Sequence, residues 1–134
     1  MIHLDTHVVA WLYAGDLTGT LAPVVDVLER EDLAVSPMVE LELEYLHEIG
    51  RLVPTGRVVL DDLAARVGLQ RRDIGFSEAM AVAAGLHWTR DPFDRLIVAS
   101  AIVDGVALLP RDEMLLKKFD GAVWDGRRRR RTRR

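Results

Sequence analysis

A chain of 134 residues is one domain's length, and folding it buries about two-thirds of its unfolded surface, so a core needs no covalent staples. It has no cysteine, which excludes a disulfide framework and thiolate metal sites and suits a reducing cytosol; 49% hydrophobic and 29% charged residues are a globular balance, and no apolar run reaches the about 18 residues of a membrane span. The net charge of −3 is uneven: residues 1–126 hold 11 basic and all 21 acidic residues, a formal −10, whereas Arg127 to Arg134 is seven arginines broken by Thr132. A body this acidic shows no basic face for nucleic acid unless its acids hold cations that reverse the local sign.

Ile2 to Asp5 reads as a short strand ending in an acid, and Thr6 as the N-cap of a helix reaching about Tyr13. Residues 19–30 have helical spacing, with Pro23 near the first turn. Leu33 to Val35 is a short buried strand. Ser36-Pro37 supplies an N-cap and a proline at the first helical position, for a helix that Gly50 stops. Residues 56–67 form a helix closed by Gly68, 71–76 a short strand, and Ser77 caps a helix from Glu78 to about Leu86. Pro92 opens a long apolar helix to Asp104, with Gly105 as its stop. Residues 106–109 read as a buried strand, 113–119 as a short helix and 122–124 as a last strand. Short apolar strands alternating with helices predict an α/β sandwich with a mostly parallel sheet.

Acids stand where folding alone would not put them. On the helix over 37–49, a turn of about 100° per residue places Met38, Leu41, Leu43, Tyr45, Leu46 and Ile49 on a broad apolar face and Glu40, Glu44 and Glu48 opposite it. Glu42 falls near the middle of the apolar face, where a carboxylate needs a metal, an arginine or a proton as partner. Asp94 sits in the first turn of the apolar 92–104 helix, and Asp91 before Pro92 is placed as its N-cap. Asp5 ends the first strand and Asp112 follows the VALL strand. In open α/β sheets ligands bind at such carboxyl ends. Clustered carboxylates stay ionised only with cations, and all-oxygen sites suit Mg²⁺ or Mn²⁺, the usual equipment for phosphodiester hydrolysis.

The stretches LDTHVVAWL (4–12), SPMVELEL (36–43), RDPFDRLIVASA (90–101) and LLPRD (108–112) resemble, in order and spacing, the PIN-domain ribonucleases, specifically the VapC-type toxins of bacterial toxin–antitoxin pairs. The resemblance runs to about Trp124 and implies a PIN-like three-layer α/β/α sandwich around a short, mostly parallel sheet over residues 1–126, followed by an arginine-rich tail at 127–134. It implies a cytoplasmic metal-dependent endoribonuclease with catalytic and metal-binding acids at Asp5, Glu42, Asp94 and Asp112, and with Asp91 as the alternative register to Asp94. It further implies Mg²⁺ or Mn²⁺ as cofactor, an RNA substrate, a cognate antitoxin that could insert an arginine among the acids, and no membrane. Pro110 stands where the family usually has threonine. The apolar helices carry more apolar surface than a small sheet covers, so a homodimer is expected. The competing readings are a non-catalytic PIN-like RNA- or protein-binding module and a receiver-like domain. The second lacks paired acids beside Asp5 and has only Lys117 and Lys118, adjacent on one helix. None of the four histidines is required. The arginine tail is expected to strengthen RNA binding in a salt-dependent way without choosing the cut site.

Overall fold

A computed structural model of the chain describes residues 1–111 and 121, together with the backbone of 123–124 and 127–128. Its elements are β1 (Ile2–Leu4), α1 (Thr6–Ala14), a 3-10 turn (Ala22–Val24) running into α2 (Val25–Arg30), β2 (Leu33–Val35), α3 (Pro37–Glu48), α4 (Gly56–Val67), β3 (Gln70–Arg71), α5 (Phe76–Ala84), α6 (Pro92–Asp104), β4 (Ala107–Leu109), β5 (Val123–Trp124) and β6 (Arg127–Arg128). β1 to β4 form one parallel sheet in the order β3-β2-β1-β4, with Ile2 beside Leu33 and Leu4 beside Leu109. Ile2, Leu4, Leu33, Val35, Leu108 and Leu109 are all buried, the signature of strands covered on both faces. The expected α/β sandwich is therefore present.

The chain winds from β1 outward to β2 and β3, then returns to the other side of β1 to form β4. The strand order thus reverses between β1 and β4, and the crevice beyond their carboxyl ends is where such sheets take ligands. Asp5 stands at the end of β1, and Pro110 and Arg111 at the end of β4.

Helices α4 and α6 have the predicted bounds, because a proline or capping residue starts each and a left-handed glycine, Gly68 or Gly105, ends it. Other boundaries differ. Asp5, not Thr6, is the N-cap of α1: its Oδ1 accepts from Thr6 N at 2.7 Å. Within 19–30 only Val25–Arg30 is α-helical, since Pro23 interrupts the donors of the preceding turn. β3 occupies Gln70–Arg71 instead of 71–76; beyond Arg72 N, which donates to Val35 O at 2.9 Å, the chain leaves the sheet. α5 starts at Phe76 with Gly75 as N-cap, so Ser77 lies inside the helix. The expected helix at 113–119 lies outside the described residues. Backbone at Arg127–Arg128 pairs antiparallel with Val123–Trp124, so the arginine block begins within a two-stranded ribbon.

The predicted apolar face of α3 is rotated. Val39 and Leu43 turn inward with Glu42, whereas Leu41, Tyr45 and Ile49 are 57%, 46% and 49% exposed. The sheet can bury only a narrow stripe of α3, and the wider stripe drawn from the sequence includes an outer row at i, i+4, i+8. The buried His3 donates from Nε2 to Asp104 Oδ2 at 2.8 Å, and the half-exposed Arg72 grips the same carboxylate with two bonds of 2.9 Å. Burial holds the His3 pKa below its ordinary value, while Arg72 holds Asp104 down at about 2. This bridge ties β1, the last turn of α6 and the segment after β3. Among the described residues no helix is long and apolar enough to cross a membrane.

α3 and α4 meet at Gly56, whose N donates to Glu44 Oε1 at 3.1 Å. A Cβ there would lie 2.7 Å from Glu40 O and 3.0 Å from Leu43 Cβ. Gly56→Ala, ordinarily neutral or helpful at a first helical position, is expected to destabilise the fold by about 1–3 kcal/mol as α3 and α4 are forced apart. A urea unfolding midpoint measures it.

Candidate active site

Asp5 is 1% exposed, and both of its carboxylate oxygens are engaged by backbone. Oδ1 accepts from Thr6 N at 2.7 Å and Oδ2 from Arg111 N at 3.1 Å. One side chain thus caps α1 and pins the end of β4 to the end of β1. Burial raises its pKa to about 7 against the pull of those two N–H groups, and the charges of Asp94 and Glu42 push it further the same way. Glu42, brought inward by α3, is 8% exposed. Its pKa is raised by burial first and then by the charges of Asp91 and Asp94. The Thr6 hydroxyl facing it, outside strict hydrogen-bond geometry, and the Arg111 guanidinium favour the carboxylate. Asp94, also 8% exposed, is presented by the first turn of α6.

Asp5, Glu42 and Asp94 therefore share one electrostatic neighbourhood beyond the ends of β1 and β4. Asp91 lies close enough to act on Glu42, and its Oδ1 accepts from Phe93 N at 2.8 Å and Asp94 N at 3.4 Å as the cap of α6. Asp112, the fourth expected acid, lies outside the described residues. Glu40 turns away, its Oε1 accepting from Arg71 Nε at 2.8 Å at the surface. Among the histidines, His3 is committed to Asp104, His47 bonds Leu52 O and Val53 O in the α3–α4 loop, His87 is exposed, and the His7 ring lies 6.3 Å from that of Trp11.

Sequence reasoning gives Arg111 no role. In the fold its Nη2 lies 3.6 Å from Asp94 Oδ2, the near edge of a cation against the acids. The available signal is its position directly after β4, at the reversal of strand order.

Among the described residues no three His, Asp or Glu side chains converge closely enough to ligate an ion as they stand. The donor chemistry nonetheless fits a hard divalent cation. The site offers the buried carboxylate oxygens of Asp5 and Glu42, whose pKa values are raised by burial first and by the neighbouring acids after it, and a bound cation would favour their charged forms. The buried hydroxyl of Thr6, next to Asp5 in the chain and facing Glu42, makes no hydrogen bond of strict geometry.

Residues 2–121 match the family model of the PIN domain. The chain belongs to the PIN-domain family. It is 33% identical over 117 residues to "Ribonuclease VapC22" of Mycobacterium tuberculosis (strain ATCC 25618 / H37Rv), a match covering 84% of this chain and 87% of the relative, which places it in the VapC branch of PIN domains. Its fold is also that of a chain in the crystal structure of VapBC2 from Rickettsia felis bound to a DNA fragment from their promoter, with a TM-score of 0.67 at 18% identity over 92% of this chain and 99% of that one. The three-layer PIN sandwich read from the sequence is thus the fold adopted.

In this PIN domain the folded state binds the Asp5 proton more tightly than the unfolded chain, whose Asp5 titrates near the ordinary 3.8. The stabilisation from this group is complete below about pH 4 and is lost as the pH rises through about 7. Chemical unfolding of metal-free wild type and Asp5→Asn at pH 5, 6, 7 and 8 is expected to move in favour of the variant as the pH rises. A constant offset against the variant is expected at every pH, because Asn has one acceptor for two backbone donors.

Proposed function

We propose that this PIN domain is the endoribonuclease toxin of a toxin–antitoxin pair, hydrolysing RNA phosphodiester bonds with a divalent metal, Mg²⁺ or Mn²⁺, held by Asp5, Glu42 and Asp94 and assisted by Asp112. The observation that carries the reading is the burial of Glu42 beside Asp5 and Asp94. A folding argument has no use for a carboxylate on the inner stripe of α3, whereas a phosphodiesterase needs it. A divalent ion bound there supplies charge against the phosphate and a water of lowered pKa. The chain's own part is to fix the acids. The two backbone N–H groups on Asp5 orient its carboxylate, Thr6 faces Glu42, and Asp91 holds the first turn of α6 that presents Asp94. Absence of a cation would leave an acidic site repelling the polyanion it has to admit.

The partners follow from the surface. Leu41, Tyr45 and Ile49 on α3, with the Tyr45 ring 5.8 Å from that of Phe93, form an exposed apolar row that supports a homodimer. The VapBC complex of similar fold supports a cognate antitoxin, and an arginine from it could neutralise the acids in place of the metal. The arginines from Arg127 to Arg134 would add phosphate affinity that depends on salt but not on the sequence cut.

Two measurements test this reading. Glu42→Gln is expected to lower the rate of RNA cleavage in Mn²⁺ at least about 100-fold, the equivalent of a few kcal/mol of lost metal stabilisation, while Glu40→Gln stays within about twofold because it removes only a surface ion pair. Light scattering at micromolar concentration is expected to give about twice the 15.1 kDa chain mass, and Tyr45→Glu to return it to a monomer.

A further inference from the structure

The Arg111 side chain stands beside acids assigned to a metal, and any role for it there rests on that assignment. Arg111 is placed by its backbone, since its N–H donates to Asp5 Oδ2 at 3.1 Å whatever its side chain does. The guanidinium, 31% exposed, extends to the acids: Nη2 lies 3.6 Å from Asp94 Oδ2, and its charge also acts on Glu42. That separation is an ion pair, longer than the about 2.7–2.9 Å of a charge-assisted hydrogen bond. Arg111 thus brings positive charge to the carboxylates assigned to the metal, and a guanidinium and a divalent cation repel when they approach the same acids.

We propose that Arg111 is the site's own counter-cation, holding Asp94 and Glu42 while no metal is bound and moving outward when a divalent ion enters. The residue then acts as a positioning group. It keeps mutually repelling acids in place before the metal arrives, and its displacement is subtracted from metal affinity. Linkage gives this a definite sign: removing the guanidinium charge must tighten metal binding while weakening the metal-free fold. A purely structural arginine has the opposite effect on affinity, because its loss disorders the site.

The test is calorimetric titration of Mn²⁺ into the full chain, for wild type, Arg111→Gln and Arg111→Lys, with melting temperatures recorded without metal and at saturating Mn²⁺. Both variants keep the backbone N–H that binds Asp5. Arg111→Gln is expected to bind Mn²⁺ about 5-fold or more tightly than wild type and Arg111→Lys within about twofold of it, a coupling of ordinary size between linked sites. The melting loss of Arg111→Gln without metal is expected to vanish at saturation. Unchanged or weaker binding by Arg111→Gln, equal tightening in both variants, or a melting loss that persists at saturation overturns the proposal. Failure of wild type itself to bind Mn²⁺ overturns the metal reading and this inference with it.

Discussion

The structure depends on the two backbone hydrogen bonds that converge on the Asp5 carboxylate. One comes from Thr6 N at the start of α1 and the other from Arg111 N beyond the end of β4. They join β1 to β4 at the point where strand order reverses, so a single buried side chain both closes the fold and opens the site. Burial is the main cause of its pKa of about 7, which is the cost of placing a carboxylate where water cannot reach it. Two N–H donors offset part of that cost, and the rest has to come from a proton or a cation.

Glu42 and Asp94 carry the same constraint outward. Each arrives on a helix whose other inward residues are apolar, Val39 and Leu43 on α3 and Ile97, Val98 and Ala101 on α6. The apolar packing supplies the stability that lets three acids stand close together, a local conflict of the kind that marks working sites. The His3–Asp104–Arg72 bridge pairs its charges instead. There Asp104 is paired by His3 on one side and by two bonds from Arg72 on the other, and the group serves to lock α6 against β1.

Much of this is legible in the residues. The bounds of α4 and α6 follow from their caps, and helical phase alone separates Glu42 from Glu40, a distinction the Glu40–Arg71 ion pair at the surface bears out in position. Asp91 as the N-cap of α6 is also visible from Pro92. Features set by distant chain are not. The sequence pattern does not tell how much of the apolar surface of α3 the sheet covers, so Leu41, Tyr45 and Ile49 read as inward when they are not. Thr6 reads as a cap because the residue before it looks like the end of a strand, and only the fold shows that Asp5 does both jobs. Arg111 approaches Asp94 across a sequence gap that no periodicity spans.

The central claim is that Asp5, Glu42 and Asp94 make one metal site. A crystal of the full chain soaked in Mn²⁺ and measured at the manganese absorption edge tests it most directly. The account requires an anomalous peak within ligand distance of these carboxylates, with the Arg111 guanidinium farther from Asp94 than 3.6 Å. A fully soaked crystal with no peak among the three acids, from protein that still cleaves RNA in Mn²⁺, would contradict it.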